Sequence, residues 1–460
     1  MNEKSEHIGR MEIILEITGW MTLVVLGWLA VALGALSIRG ASLLCVFMML
    51  GLMASAWRNF EGGRHPCFLF LSMLFVFQCG RLLGYMSGSP DDPFAIQLGT
   101  AFRFSVSRQS EEITLLLIVV SAVCVYIPCR FSYRRIVFSA GPEQAWLRPL
   151  YMLLTVTLPF AAYKNYVYLA YIRSHGGYIS VYTDNDAILQ SAGTLVRGVA
   201  LIGTSVLLLL YLCERRRRYM SLILSLFFIV SMMDLLMGFR GKIFVQILLF
   251  WFIHNLKTGK KFNLIPLLST AAVISLLAVL IVGFRENVAV NVLGPVGFIS
   301  GQGISMNVTE LAVENRQLFE KNAGRYFIGD VKSMFVPNSD NFESDLSLYL
   351  SPDSFRAGYA TGSSYLAEAY LIGGVFGVAI VSLLVGMMMS WIHARSDSWI
   401  GAGLMMASLG SIIYMPRAGL IYPLSGTLKS LLAMGAAFAL AFLIKTGCFF
   451  LPCGGWLYEE

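Results

Sequence analysis

The chain has 460 residues, 57% hydrophobic and only 13% charged, with a mean hydropathy of +0.69 and a formal net charge of +7. That apolar excess excludes an ordinary soluble globular domain. The positive charge is divided among short polar segments between apolar stretches, so it points to membrane topology and away from nucleic acid.

Taken in chain order, apolar stretches suited to helices across a hydrocarbon core of about 30 Å are predicted at 14–36, 41–57, 66–86, 113–129, 149–171 and 196–213. Six more follow at 219–238, 243–256, 262–283, 363–391, 399–415 and 427–446. Their length and the lack of turn-bounded alternation disfavour a membrane β-barrel. The expected fold class is all-α: a single polytopic membrane domain over 1–460 with about 12 transmembrane helices. The first stretch exceeds the 7–15 apolar residues of a signal-peptide core, so it reads as an uncleaved anchor.

With the N-terminus in the cytoplasm, the inside segments hold seventeen Lys and Arg residues, among them the run Arg215-Arg216-Arg217-Arg218. The short outside loops hold eight. The positive-inside rule therefore places both termini in the cytoplasm. The eight cysteines are scattered, mostly within the spans, and imply no disulfide framework. Cys448 and Cys453 have no histidine or second pair to complete a zinc site, and no metal is expected.

The intramembrane charges carry most information about function. Arg81, Lys164, Asp234 and Glu368 all lie nearer the outward ends of their spans. A charge in hydrocarbon costs roughly 2.5–3.5 kcal/mol, so such residues face a wet cavity or a partner. Several on one side suggest an outward polar chamber. Two outside segments are long: 172–195 after the fifth span, and 284–362 between spans nine and ten. The second includes an expected surface helix near 303–322. A structureless loop of that length would be unusual without a function.

Arg197, Arg240, Arg285 and Arg417 sit at or near outward span ends. Arginine offers a planar, permanently charged fork for phosphate oxygens, so the set suits a pyrophosphate; singly, each could be a headgroup anchor. Gly238 and Gly241 bracket Arg240 and would let backbone amides approach a ligand. Glu368 needs a partner such as Arg417 or Lys164, or a protonated state. It could serve as a general base or as half of a structural ion pair. His175 is the alternative base. Asp184, Asp186, Asp340, Glu343 and Asp345 could bind sugar hydroxyls or a divalent ion, but their spacing matches no calcium loop. The sequence has no Walker loop, dinucleotide fingerprint or nucleophile elbow, and no cofactor is expected.

Four segments together resemble the bacterial O-antigen and oligosaccharide repeat-unit polymerases of the Wzy type. They are AEAYLIGGVFG (367–377), LLMGFRGKIFV (235–245), YMPRAGLIYPLSG (414–426) and SHGGYIS (174–180). The resemblance covers most of the chain. It implies a glycosyltransferase of GT-C-like architecture in the inner membrane, acting on the periplasmic side. Its partners would be undecaprenyl-pyrophosphate-linked oligosaccharides, membrane lipid and a chain-length regulator. In that scheme Arg240, Arg285, Arg417 and Arg197 bind the leaving pyrophosphate. Glu368 or His175 orients or deprotonates the attacking hydroxyl, and the long loop excludes water. A ligase that transfers finished glycan to another acceptor shares the donor chemistry. A flippase for lipid-linked oligosaccharide is the alternative of another class. It should show charges at several depths and two related halves, whereas here the charges gather on one side.

Overall fold

The computed structural model describes residues 3–86, 93–94, 96–98, 102–136, 144–175, 185–236, 240–258, 269, 294–333, 341–356 and 360–450. In chain order the helices begin with α1 (Glu3–Ala32), α2 (Ile38–Asn59) and α3 (Pro66–Met86). A minimal antiparallel hairpin, β1 (Ile96–Leu98) with β2 (Phe102–Phe104), precedes α4 (Arg108–Ser132). Then come α5 (Leu147–Ser174), α6 (Asn185–Ser191), α7 (Thr194–Cys213), α8 (Arg217–Leu236) and α9 (Arg240–Thr258). Six short helices follow: α10 (Gly294–Gln302), α11 (Ile304–Glu314), α12 (Arg316–Phe319), α13 (Ala323–Ser333), α14 (Phe342–Leu350) and α15 (Pro352–Arg356). The chain closes with α16 (Tyr365–Ala394), α17 (Trp399–Tyr414) and α18 (Tyr422–Phe450).

Among the described residues, eight helices are long and apolar enough to cross a membrane by length and composition: α1 to α4, α7 and α16 to α18. The stretches expected at 149–171, 219–238 and 243–256 are also helical, as α5, α8 and α9. The stretch 262–283 lies outside the described residues. Large apolar side chains such as Leu15, Leu26, Phe376 and Leu443 stand exposed on these helices, as a lipid-facing surface requires.

The chain divides into two compact units. The first comprises residues 1–135, 260–394 and 411–425. Here α2, α3, α4 and α16 pack together, and α10 and α11 pack against α3. Polar ties fix the bundle where apolar packing alone would not set its register. Glu16 on α1 accepts hydrogen bonds from Asn59 Nδ2 (2.7 Å) and Tyr126 Oη (2.7 Å), and pairs with Arg130 Nε at 3.2 Å. This intramembrane carboxylate is satisfied by three neighbours on α2 and α4.

The expected surface helix near 303–322 appears as α11, but it is not on the surface. Residues Ser305–Val313 are all buried, against α3, α4 and α16. Glycine makes the approach possible. A Cβ on Gly80 would overlap the Ile299 carbonyl oxygen, and one on Gly84 would lie 2.6 Å from Ser300 Oγ. These two, four residues apart on α3, let the backbones meet.

The tenth expected span is broken. Within α16, Gly373 and Gly374 leave the helical region, and Gly374 takes φ +61°, a left-handed conformation natural to glycine. The break is sharp. Tyr365 Oη and Ser382 Oγ both hydrogen-bond to the hydroxyl of Ser121 on α4. In a straight helix those two positions would lie about 25 Å apart. Glu368 therefore sits on a short fold-back segment ahead of the break, not in the first turns of a straight span.

The second unit comprises residues 136–259, 395–410 and 426–460. In it α5 packs on α7, α7 on α8, and α8 on α9. Glu214 accepts the backbone N–H groups of Arg215 and Arg216 and the Tyr151 hydroxyl, which caps the basic turn. Trp146, Trp399 and Phe438 form an aromatic cluster with Lys445 over Trp146. Such amphipathic groups favour a headgroup level.

Candidate active site

Within the first unit, α11 to α14 build a compact apolar core on the fold-back segment. Val308, Leu311, Phe319, Tyr326, Phe342 and Leu346 pack with Ala367 and Leu371. Fully burying each large side chain contributes roughly 1.5–3 kcal/mol. This core sets α13 and α14 beside Glu368. Asn341 caps α14, accepting the Ser344 N–H at 2.9 Å. The Ser347 hydroxyl holds the returning segment by accepting the Thr361 N–H at 3.0 Å. That contact places the Gly362 N–H on the Glu343 carboxylate.

Glu368 is buried, at 7% exposure. Ser363 Oγ donates to its Oε1 at 2.6 Å, and the Leu420 N–H donates to its Oε2 at 2.7 Å. The Asp330 carboxyl of α13 is also hydrogen-bonded to Glu368. Two carboxyl groups in contact oppose each other's ionisation, so their titrations are linked. Burial pushes the Asp330 carboxyl up to about 6, against the opposing effect of its hydrogen bond with Glu368. Glu343 is raised from its ordinary range, first by burial and then by the neighbouring Asp330 charge.

These three carboxyl groups line a cavity of about 130 Å³, with Asn341, Ser363, Tyr422 and Ser425 completing its polar wall. Gly419 forms part of the floor. A Cβ there would lie 2.6 Å from Glu368 Oε1 and 3.2 Å from Asp330 Oδ2, so only glycine lets the carboxylates rest against this backbone.

Arg417 lies three residues before Leu420, in a 3-10 turn (Met415–Arg417) at the end of α17. Its guanidinium donates to Gln302 Oε1 and stands over the Phe77 ring at 5.5 Å. Gln78 fastens the turn by donating to the Pro416 carbonyl at 2.8 Å and to Ser364 Oγ at 3.0 Å. Arg81 donates to Asn307 Oδ1, and Asn307 Nδ2 donates to Glu310 Oε2 at 3.2 Å. The partners of Glu368 among the described residues are thus a hydroxyl, an amide and a carboxyl, while Arg417, one of the expected partners, is bonded to Gln302.

The remaining sequence candidates fall elsewhere. His175 ends α5 in the second unit, stacked on Tyr171 at 3.9 Å and bonded to Ser174 Oγ at 2.9 Å. Arg197 on α7, in the same unit, donates to the Leu189 carbonyl at 3.1 Å. Arg240 opens α9, also in the second unit. Arg285 lies outside the described residues, as do Asp184 and Asp340. Asp330 was not singled out in the sequence. Its signal would have been the amphipathic pattern of 323–333, where Tyr326 and Asp330 are four residues apart and share one face.

The fold and this cavity define a helical, multi-pass membrane protein with a carboxylate-rich polar site walled by short helices. Residues 17–444 match the family model described as O-antigen polysaccharide polymerase Wzy. The chain belongs to that family, whose membership supports a polysaccharide-polymerising, glycosyltransferase-type role. No curated protein sequence and no solved structure matches the chain.

Proposed function

We propose that this chain polymerises O-antigen or a related surface polysaccharide at the periplasmic face of the bacterial inner membrane, with about 12 spans, a GT-C-like architecture and both termini in the cytoplasm. The donor is a growing glycan on undecaprenyl pyrophosphate and the acceptor is a lipid-linked repeat unit. The observation that carries the reading is the Glu368–Asp330 pair opening on a polar cavity, in a chain of this family.

The acceptor hydroxyl oxygen attacks the donor's anomeric carbon. The bond from that carbon to the pyrophosphate oxygen breaks, and its electron pair leaves with undecaprenyl pyrophosphate. The hydroxyl proton passes to the Glu368 carboxylate. The adjoining Asp330 carboxyl and the polar groups around the pair tune the site for this transfer. Asn341, Ser363 and Tyr422 offer hydrogen bonds for sugar hydroxyls. Arg417 stabilises the charge that develops on the leaving pyrophosphate; Arg240, Arg285 and Arg197 are the sequence's further candidates for that role. His175 is the alternative proton acceptor. Cleavage of the sugar–pyrophosphate bond drives the reaction, so no nucleotide or other cofactor enters the scheme. A chain-length regulator would act as a partner.

The test is the length distribution of surface glycan in cells with and without the gene, read as a gel ladder. Polymerisation predicts that deletion collapses the ladder to a single repeat unit. Loss of even that unit would instead indicate a flippase or ligase, and an unchanged ladder would sink the proposal.

A further inference from the structure

We propose that His65, Cys67 and Cys129 form a zinc site that joins the start of α3 to the end of α4. All three residues are fully buried, at 0% exposure. A ring nitrogen of His65 and the two sulfurs lie within 4.8 Å of one another. With Zn–S near 2.3 Å and Zn–N near 2.0–2.1 Å, tetrahedral ligand atoms stand about 3.5–3.8 Å apart. A contraction of about 1.3 Å or less would therefore close the site.

The local sequence explains why these atoms converge. His65 precedes Pro66, which opens α3 with its fixed φ and no N–H to satisfy. His65 Nδ1 accepts the Cys67 N–H at 3.2 Å, which turns its lone pair toward that cysteine. Zinc at Nδ1 would take the single lone pair that now accepts this N–H, so loading exchanges that hydrogen bond for the metal bond. Cys129 follows Pro128 in the last turn of α4, and its thiol donates to the Gly386 carbonyl at 3.4 Å. The His393 ring packs edge-on to His65 at 4.5 Å and bounds the site on that side. Phe60, 4.8 Å from the His65 ring, supplies an apolar wall.

The donor set selects the ion. Two thiolates neutralise Zn²⁺, so the loaded site carries no net charge in a low-dielectric interior. Cu⁺ on the same ligands would leave one uncompensated negative charge. Each zinc bound displaces the two thiol protons. The site is separate from the carboxylate cavity. Cys67 lies eleven residues, or about 16 Å along α3, from Gln78, which holds the Arg417 turn. Its role is accordingly to lock the helix ends. No spacing motif betrays it, because its thiols come from two helices.

The experiment uses the full-length protein in detergent, purified with a thiol reductant and loaded with Co²⁺ or Zn²⁺. The expected result is about one metal per chain, a thiolate-to-cobalt charge-transfer band in the wild type, and a higher melting temperature with zinc than after chelation. Cys67→Ser and Cys129→Ala should lose the band and the zinc response, while Cys79→Ser, at another buried cysteine, keeps both. The wild-type spectrum needs no variant, so misfolding cannot mask the answer. Absence of the band in the wild type, or its persistence in both site variants, would overturn the proposal.

Discussion

Gly419→Ala tests the candidate site with a single methyl group. The added Cβ would lie 2.6 Å from Glu368 Oε1, whereas ordinary contact begins at 3.4 Å. The carboxylate must retreat by about 0.8 Å or the 417–420 turn must lift by as much. Either movement stretches the 2.7 Å hydrogen bond from the Leu420 N–H to about 3.5 Å, where it ceases to count as one. A hydrogen bond to a charged group contributes about 1.5–3 kcal/mol, equivalent to roughly ten- to hundred-fold in rate. The substitution does not strain the backbone, since Gly419 has an ordinary φ. Membrane insertion and protein yield should therefore match the wild type. The assay is initial polymerisation rate in membranes adjusted to equal protein. Gly435→Ala, where nothing lies within 4 Å of the new atom, serves as control. A Gly419→Ala protein as active as that control would refute the placement of the reacting carboxylate.

Asp330→Asn should flatten the pH dependence of stability. A carboxyl raised from 3.8 to about 6 binds its proton more tightly in the folded state, so stability falls as pH rises from about 4 to 6 and then levels off. The full shift corresponds to roughly 3 kcal/mol, and solvent screening of this half-buried group reduces that to about 1–1.5 kcal/mol. Thermal unfolding in detergent across that range should show the slope in the wild type and its loss in the variant. Asp330→Asn should also shift the pH–rate profile, because the amide donates to Glu368 without titrating. Arg417→Ala and Arg240→Ala should each lower polymerisation more than 100-fold while leaving insertion intact, measured as ladder length beside immunoblots of membranes. Gly80→Val should act on folding instead. Its side chain meets the Ile299 carbonyl, and overpacking of about 1–3 kcal/mol or more should appear as a lower melting temperature and yield.

The membrane class and most helix positions were legible because hydropathy reports directly on length and solvent. Hydropathy could not show how α16 folds. The pair Gly373-Gly374 sits in an unbroken apolar run, and only the backbone angles reveal the break that turns Glu368 back into the bundle. Burial of α11 was hidden for a related reason. Asn307, Thr309 and Glu310 look solvent-facing in a sequence, yet each is at most 1% exposed and engaged with Arg81, Gln78 or Asn307. Glu368 stood out in the sequence because a charge within an apolar run is costly and therefore conspicuous. Asp330 escaped because an acidic residue in a polar segment carries no such signal, and its importance arises only from tertiary contact.

The most direct test is polymerisation by purified wild-type protein and its Glu368→Gln variant, supplied with undecaprenyl-pyrophosphate-linked repeat units alone. The variant keeps the size of the side chain, and its remaining oxygen can accept the Leu420 N–H while its amide group donates to the Ser363 hydroxyl, but it cannot take a proton. The account predicts a ladder and one released undecaprenyl pyrophosphate per bond from the wild type, and neither from a folded Glu368→Gln protein. Equal ladders from both would contradict it.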